Sequence, residues 1–131
     1  MKGLAAAIAA IAKGDLNGLP SVRIANHREL RDAAMELPRL VVSRSALARV
    51  VEEWRLGLFT AGDVQQWASF IRRGYVSGVE SGEIYPIEIE YDSGDEALIV
   101  EIIGRLDEIG DQIDGRIEAR EQDEMLRVLR A

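Results

Sequence analysis

Seven carboxylates and no Lys or Arg lie in the segment from Glu80 to Glu96, the most chemically suggestive stretch of the chain. Hard cations such as Ca²⁺ and Mg²⁺ prefer oxygen ligands, so the Asp92–Glu96 carboxylates form one candidate metal site. The segment lacks the EF-hand spacing, and acidic side chains are also expected in the first turn of a helix. A surface that binds a basic protein is therefore the preferred interpretation. Its predicted contacts are Glu83, Glu88, Glu90 and Asp92.

Three smaller groups could also carry chemistry. His27 is the only histidine, and its position in the first turn of a predicted helix favours the neutral imidazole, but we expect it to be exposed and without a catalytic role. Asp111 and Asp114 lie in a predicted turn, where Asp is common for conformational reasons. Arg72 and Arg73 could hold an anion, yet cations are expected at a helix C-terminus. None of these groups predicts a catalytic site.

Several function classes lack their sequence signature. The chain has no cysteine, which excludes disulfides, thiolate catalysis and cysteine-based zinc sites. No Gly-rich phosphate loop, nucleophile elbow or HExxH motif occurs. We therefore expect no cofactor, no resident metal and no catalytic residue.

The net charge of −7 is divided unevenly along the chain. Residues 1–75 carry eleven Lys/Arg against seven Asp/Glu, whereas residues 76–131 carry five against sixteen. An acidic half is unsuited to phosphate, so nucleic acid is not an expected partner. The acidic half suits either a basic protein partner or solubility alone.

Helical periodicity organises the chain around a predicted αα-hairpin at about residues 45–75. Gly57 suits the left-handed turn between its helices, Thr60 suits the cap of the second helix, and both tryptophans, Trp54 and Trp67, fall on apolar faces. We predict a mainly α, single-domain helical bundle spanning residues 1–131.

The remaining segments are predicted as additions to this hairpin. An alanine-rich helix at 1–13 is too short to span a membrane and is expected to be retained and to pack on the body, joined by a linker at 14–20. Residues 21–24 are expected to be extended. An edge strand at about 84–91 needs a partner: residues 22–24, residues 40–42 or a second copy of the chain. Two further helices are expected, one capped by Ser93 and one near the C-terminus.

The pattern Trp54-x-x-Gly57-x-x-Thr60-x-x-x-Val64-x-x-Trp67-Ala68, followed by the Ile-Glu-Ile-Glu-Tyr strand, resembles small uncharacterised bacterial helical proteins. Those proteins are similar, in size, acidity and helical content, to immunity proteins that neutralise toxins. The resemblance implies a cytoplasmic bacterial protein that binds another protein, and it supplies no catalytic residues.

Three hypotheses follow from the sequence. The first is a non-enzymatic protein-binding module, in its sharpest form an immunity-type antitoxin with an acidic surface. The second is a small metal-dependent enzyme or metal-binding protein that uses the Asp92–Glu96 carboxylates. The third is a structural homo-oligomer paired through the predicted strand.

Overall fold

A computed structural model describes residues 3–75, 86–113 and 115–131, and the described chain is mainly helical with one two-stranded sheet. Seven α-helices, one 3₁₀ helix at Leu16–Gly18 and two strands occur within those ranges. The helices are α1 (Gly3–Ala12), α2 (Leu19–Ile24), α3 (His27–Ala34), α4 (Arg44–Arg55), α5 (Ala61–Arg73), α6 (Glu96–Asp107) and α7 (Ala119–Leu129); the strands are β1 (Leu40–Val42) and β2 (Ile89–Tyr91). The predicted fold class is confirmed.

The helices α4 and α5 form the predicted hairpin. Gly57 has a positive φ of 81°, which ends the first helix in the way expected of a residue without a Cβ atom. The Thr60 side chain accepts a hydrogen bond from the Asp63 amide, and the Asp63 carboxylate accepts one from the Thr60 amide, which completes a capping box. Trp67 is fully buried and Trp54 nearly so, as predicted.

The first helix packs into the same core. Ile8 and Ile11 of α1 are buried, and the indole Nε1 of Trp67 donates to the Ile11 carbonyl at 2.9 Å. The expected linker at 14–20 is wrong, because Leu16 and Leu19 are buried in a 3₁₀ helix and at the start of α2. The expected extended segment at 21–24 is also wrong, since it belongs to α2. Burial of apolar side chains thus outweighs the local breaker residues.

The two strands pair in parallel within one chain. Leu40 lies opposite Ile89 and Val42 opposite Tyr91, so the second of the three predicted strand partners is the correct one. The strand is shorter than the predicted 84–91, and residues 84 and 85 lie outside the described residues. Because the strand has a partner in its own chain, its pairing no longer requires a second copy.

The C-terminal helices cover the hairpin from two sides: α6 packs on α5, and α7 packs on α4. The cap of α6 is Asp95 and not the expected Ser93. Ile113 is 89% exposed, whereas Ile117 is buried. Arg105 forms ion pairs with Glu108 and Glu121, which lie further along the chain.

Among the described residues, no helix is both long enough and apolar enough to cross a bilayer.

Candidate functional site

The predicted acidic contacts lie along one edge of the sheet, where the chain enters and leaves β2. Glu88 is exposed just before the strand, Glu90 is half-buried within it, and Asp92 is exposed immediately after it. The alternation follows the period of an extended chain, since Ile87 beside them is buried. Glu83 lies outside the described residues. The structure therefore brings three of the four predicted contacts close together along one strand.

Glu90 already has an intramolecular partner that the sequence did not reveal. The guanidinium of Arg39, just before β1, binds both Glu90 oxygens, with Nη2 to Oε1 at 2.8 Å. The hydrogen bond from Arg39 lowers the pKa of Glu90. The same bond is the main cause that raises the pKa of Arg39, and nearby Glu88 adds to this effect. Parallel pairing of β1 with β2 creates this contact across 51 positions of sequence.

The Asp92–Glu96 segment uses its carboxylates for local structure. Asp92 accepts a hydrogen bond from the Gly94 amide at 3.2 Å, which forms a turn. Asp95, the cap residue of α6, lies 3.4 Å from Arg44 of α4. Within residues 3–75, 86–113 and 115–131, no three His, Cys, Asp or Glu side chains are grouped so that they could hold a metal ion. No observed contact favours the metal hypothesis.

A surface groove of about 350 Å³ runs beside Glu88 and Glu90. Its floor is apolar, with Leu40 and Ile87 buried and Met35 78% exposed. The floor also includes Ala34, Leu37, Pro38 and Pro86. Arg31 and Arg39 also line the groove, beside the two carboxylates. Together these residues define the feature that we name the strand groove.

The groove is well suited to contact between macromolecules. Exposed methionine adapts its shape to different apolar surfaces, and an apolar floor with a polar rim is the usual anatomy of an interface. The Arg39 side chain is 70% exposed, so its ion pair with Glu90 can be exchanged for another cation at little cost. Glu88 adds an exposed carboxylate beside that pair.

Arg72 and Arg73, considered above as an anion site, bind an anion of the chain itself. Both place Nη1 2.8 Å from Oδ2 of Asp107 in α6. The Gln65 amide donates to Oδ1 of Asp107 at 3.0 Å, and the Asp107 side chain is only 5% exposed. This cluster attaches α5 to α6, and no catalytic role is needed to explain it.

The remaining candidates are also structural. The expected exposure of His27 is wrong: the side chain is 2% exposed, and its ring packs edge-to-face on Tyr75 with centroids 5.8 Å apart. Asp111 accepts a hydrogen bond from the Ile113 amide in an exposed turn. Asp114 lies outside the described residues.

No protein-family model matches this chain, and neither the curated proteins nor the solved structures contain a significant match.

Proposed function

We propose that this chain is a non-enzymatic, cytoplasmic bacterial protein-binding module that receives a basic protein surface at the strand groove. An immunity-type antitoxin is the sharpest form of this proposal, with a toxin as the partner. The observation that carries it is the position of Glu88, an exposed carboxylate beside an apolar floor that includes the exposed Met35. Apolar contact supplies affinity at such a site, and the carboxylate selects a cation at its rim.

The charged side chains at the rim of the strand groove determine how a basic partner would bind there. Among the described residues, the rim holds two guanidinium groups and two carboxylates, whose formal charges balance before a partner binds. A basic partner gains attraction from Glu88 directly, whereas it gains from Glu90 only by replacing Arg39. Arg39 therefore acts as an intramolecular competitor of the partner.

Two variants with opposite expected effects test this proposal. Glu88→Lys should lower recovery of the partner in a pull-down from the native lysate, because a cation then meets the basic surface. Arg39→Gln should raise recovery, because it removes the competitor and leaves Glu90 available. The product of a neighbouring gene is the first partner to test by name, with loss of toxin activity as the readout.

Glu118→Lys is the matched control. Glu118 is an exposed carboxylate outside the strand groove, and its contact with Arg116, at 3.5 Å, joins two side chains that are 70% and 88% exposed. This variant should leave recovery unchanged. Unchanged recovery with Glu88→Lys, or equal loss with Glu118→Lys, would refute the role of the strand groove.

A further inference from the structure

A second groove, of about 400 Å³, separates α6 from α7 on the side of the molecule that these two helices share. The face that α6 presents to it consists of Leu98, Glu101, Ile102 and Arg105. These positions follow the i, i+3, i+4, i+7 spacing that places side chains on one face of a helix. Leu98 and Ile102 form the apolar wall, with Ile102 6% exposed and Leu98 half-buried.

The face contributed by α7 has the same spacing. Glu121, Glu124, Met125 and Val128 line the groove from that side. Met125 is 6% exposed and Val128 lies beside it, so an apolar floor continues from one helix to the other. We name this feature the helix groove. Seven residues of helix rise about 10 Å, so the helix groove is about two helical turns long.

An ion pair closes one end of the helix groove. Arg105 binds Glu121 through Nε to Oε2 at 2.6 Å and through Nη2 to Oε1 at 3.1 Å. Arg105 also donates to Glu108 at 3.1 Å. Two carboxylates thus neutralise the one guanidinium that lines the groove, and from this end the groove extends towards Leu98 and Val128.

The edges of the helix groove are acidic. Glu101 is exposed, and in the described part of the chain it forms no ion pair. Glu124 is bound by Arg127, and this hydrogen bond lowers the pKa of Glu124, but the Arg127 side chain is 68% exposed and exchangeable. Of the described residues, three carboxylates and one guanidinium line the groove. The lining therefore carries a net negative charge, unlike that of the strand groove.

We propose that the helix groove binds an amphipathic helix of a partner protein, with apolar side chains on one face and Lys or Arg beside them. Apolar anchors at i, i+3 or i+4, and i+7 of the ligand would pack on Leu98, Ile102 and Met125, since a groove between two helices accepts the ridge of a third. Flanking cations would meet Glu101 and Glu124 at the edges. This site is separate from the strand groove and does not depend on the function proposed for it.

Selection of random 16-residue peptides on the immobilised protein tests this inference even while the partner is unidentified. Enriched peptides should combine Lys or Arg with apolar residues at helical spacing. A synthetic copy of the most enriched peptide should then shift the amide resonances of α6 and α7 in NMR spectra of the ¹⁵N-labelled protein. Calorimetry measures the affinity of the same peptide.

Two variants test whether the peptide binds at the helix groove. Glu101→Lys should lower the affinity for the synthetic peptide by about 3- to 30-fold, because a charge at the edge of the groove is reversed. The affinity of this variant should also depend less on salt concentration than that of the wild-type chain. Leu98→Lys should abolish binding, because a cation then occupies the apolar wall. Circular dichroism and thermal unfolding show whether each variant remains folded. Glu36→Lys, at an exposed position on the C-terminal side of α3, carries the same charge change and should bind the peptide like the wild-type chain.

Three results would overturn the inference. One is enrichment of acidic or uncharged peptides, or of none. Another is a peptide whose affinity for the folded Glu101→Lys and Glu36→Lys variants is the same. The third is self-association in sedimentation experiments that Glu101→Lys abolishes, because a second copy of the chain would then be the occupant. Loss of partner binding in Glu88→Lys without any effect on the peptide would support two independent grooves.

Discussion

The ion pairs of Asp107 with Arg72 and Arg73 join a buried carboxylate to two partly exposed cations, so removing either kind of partner should have a different effect on stability. Asp107 is 5% exposed, whereas the side chains of Arg72 and Arg73 are 47% and 39% exposed. Removing both arginines leaves a buried carboxylate whose only remaining donor among the described residues is the Gln65 amide. Loss of the partner of a buried charge costs about 3–5 kcal/mol, and we expect about 2–4 kcal/mol here because the Gln65 hydrogen bond remains.

Removing the Asp107 carboxylate should lower the free energy of unfolding less than removing both Arg72 and Arg73. In Asp107→Asn, the two guanidinium groups can turn into water, and the amide oxygen still accepts one hydrogen bond, so we expect about 1–2 kcal/mol. Arg72→Ala or Arg73→Ala alone should each cost about 0.5–1 kcal/mol, because both groups contact the same oxygen and either one can remain. The double variant should therefore cost more than the sum of the two single variants.

Urea denaturation followed by tryptophan fluorescence measures these differences, since Trp54 and Trp67 lie in the core. Arg55→Ala is the matched control, because Arg55 has a similar exposure of 43% but pairs with an exposed carboxylate. Its cost should stay within about 0.5 kcal/mol. Additive arginine variants, or an Asp107→Asn variant less stable than the double arginine variant, would refute this account.

Three further stability predictions use the same assay. Gly74→Ala should lower the free energy of unfolding by about 2–4 kcal/mol, because φ is +77° and a Cβ atom would lie 2.2 Å from the Ile87 carbonyl oxygen. Gly57→Ala, where φ is +81° but the surrounding space is open, should lower it by about 1 kcal/mol. Equal losses in the two variants would show that the close approach to Ile87 is unimportant. Trp67→Phe should lower the free energy of unfolding by about 1–3 kcal/mol, since the Ile11 carbonyl loses the indole donor, although it keeps the Gly14 amide, and a fully buried side chain becomes smaller. A loss below about 0.5 kcal/mol would contradict this. Burial tends to raise the pKa of Asp63, but hydrogen bonds from the Thr60 amide and from a nearby arginine outweigh this and lower it overall. The stability gained from ionised Asp63 is therefore present above its unfolded pKa of about 3.9 and is lost as the pH falls through the lower folded value. Asp63→Asn should be less stable than the wild-type chain at pH 7 and converge with it near pH 2; a constant difference at both pH values would contradict the sign.

The hairpin is predictable because its signals are local. Gly57, Thr60 and Asp63 act within a few residues of one another, and the tryptophans repeat at helical spacing. A second capping box, between Asn26 and Glu29, is equally local, since the two residues are three positions apart. Caps and periodicity depend on neighbours in sequence, so a single sequence is sufficient to identify them.

The errors occur where distant contacts decide the outcome. Residues 14–20 contain breakers that indicate a linker, and residues 21–24 are expected to be extended, yet residues 16–24 are helical because Leu16, Leu19 and Val22 are buried against the core. His27 follows a helix cap, which predicts exposure to solvent, but the ring of Tyr75 packs against it. Nothing local to these residues indicates which other segment will pack on them.

The predicted acidic surface shows the same limit, and it changes how the charge asymmetry of the chain should be interpreted. Within the part of the chain that the structure describes, five arginines from the basic half form ion pairs with carboxylates of the acidic half: Arg39, Arg44, Arg55, Arg72 and Arg73. Some of the opposite charges of the two halves therefore pair with each other inside the molecule, and these pairs hold α6, α7 and β2 against the earlier segments. The excess acid available to a partner is smaller than the composition suggests, and in the described chain it is exposed at particular positions, Glu88 beside the strand groove and Glu101 at the helix groove. For this reason the decisive experiments reverse single carboxylates at those positions and compare them with exposed carboxylates elsewhere, because a change in total charge alone would not distinguish a binding surface from a merely solvated one.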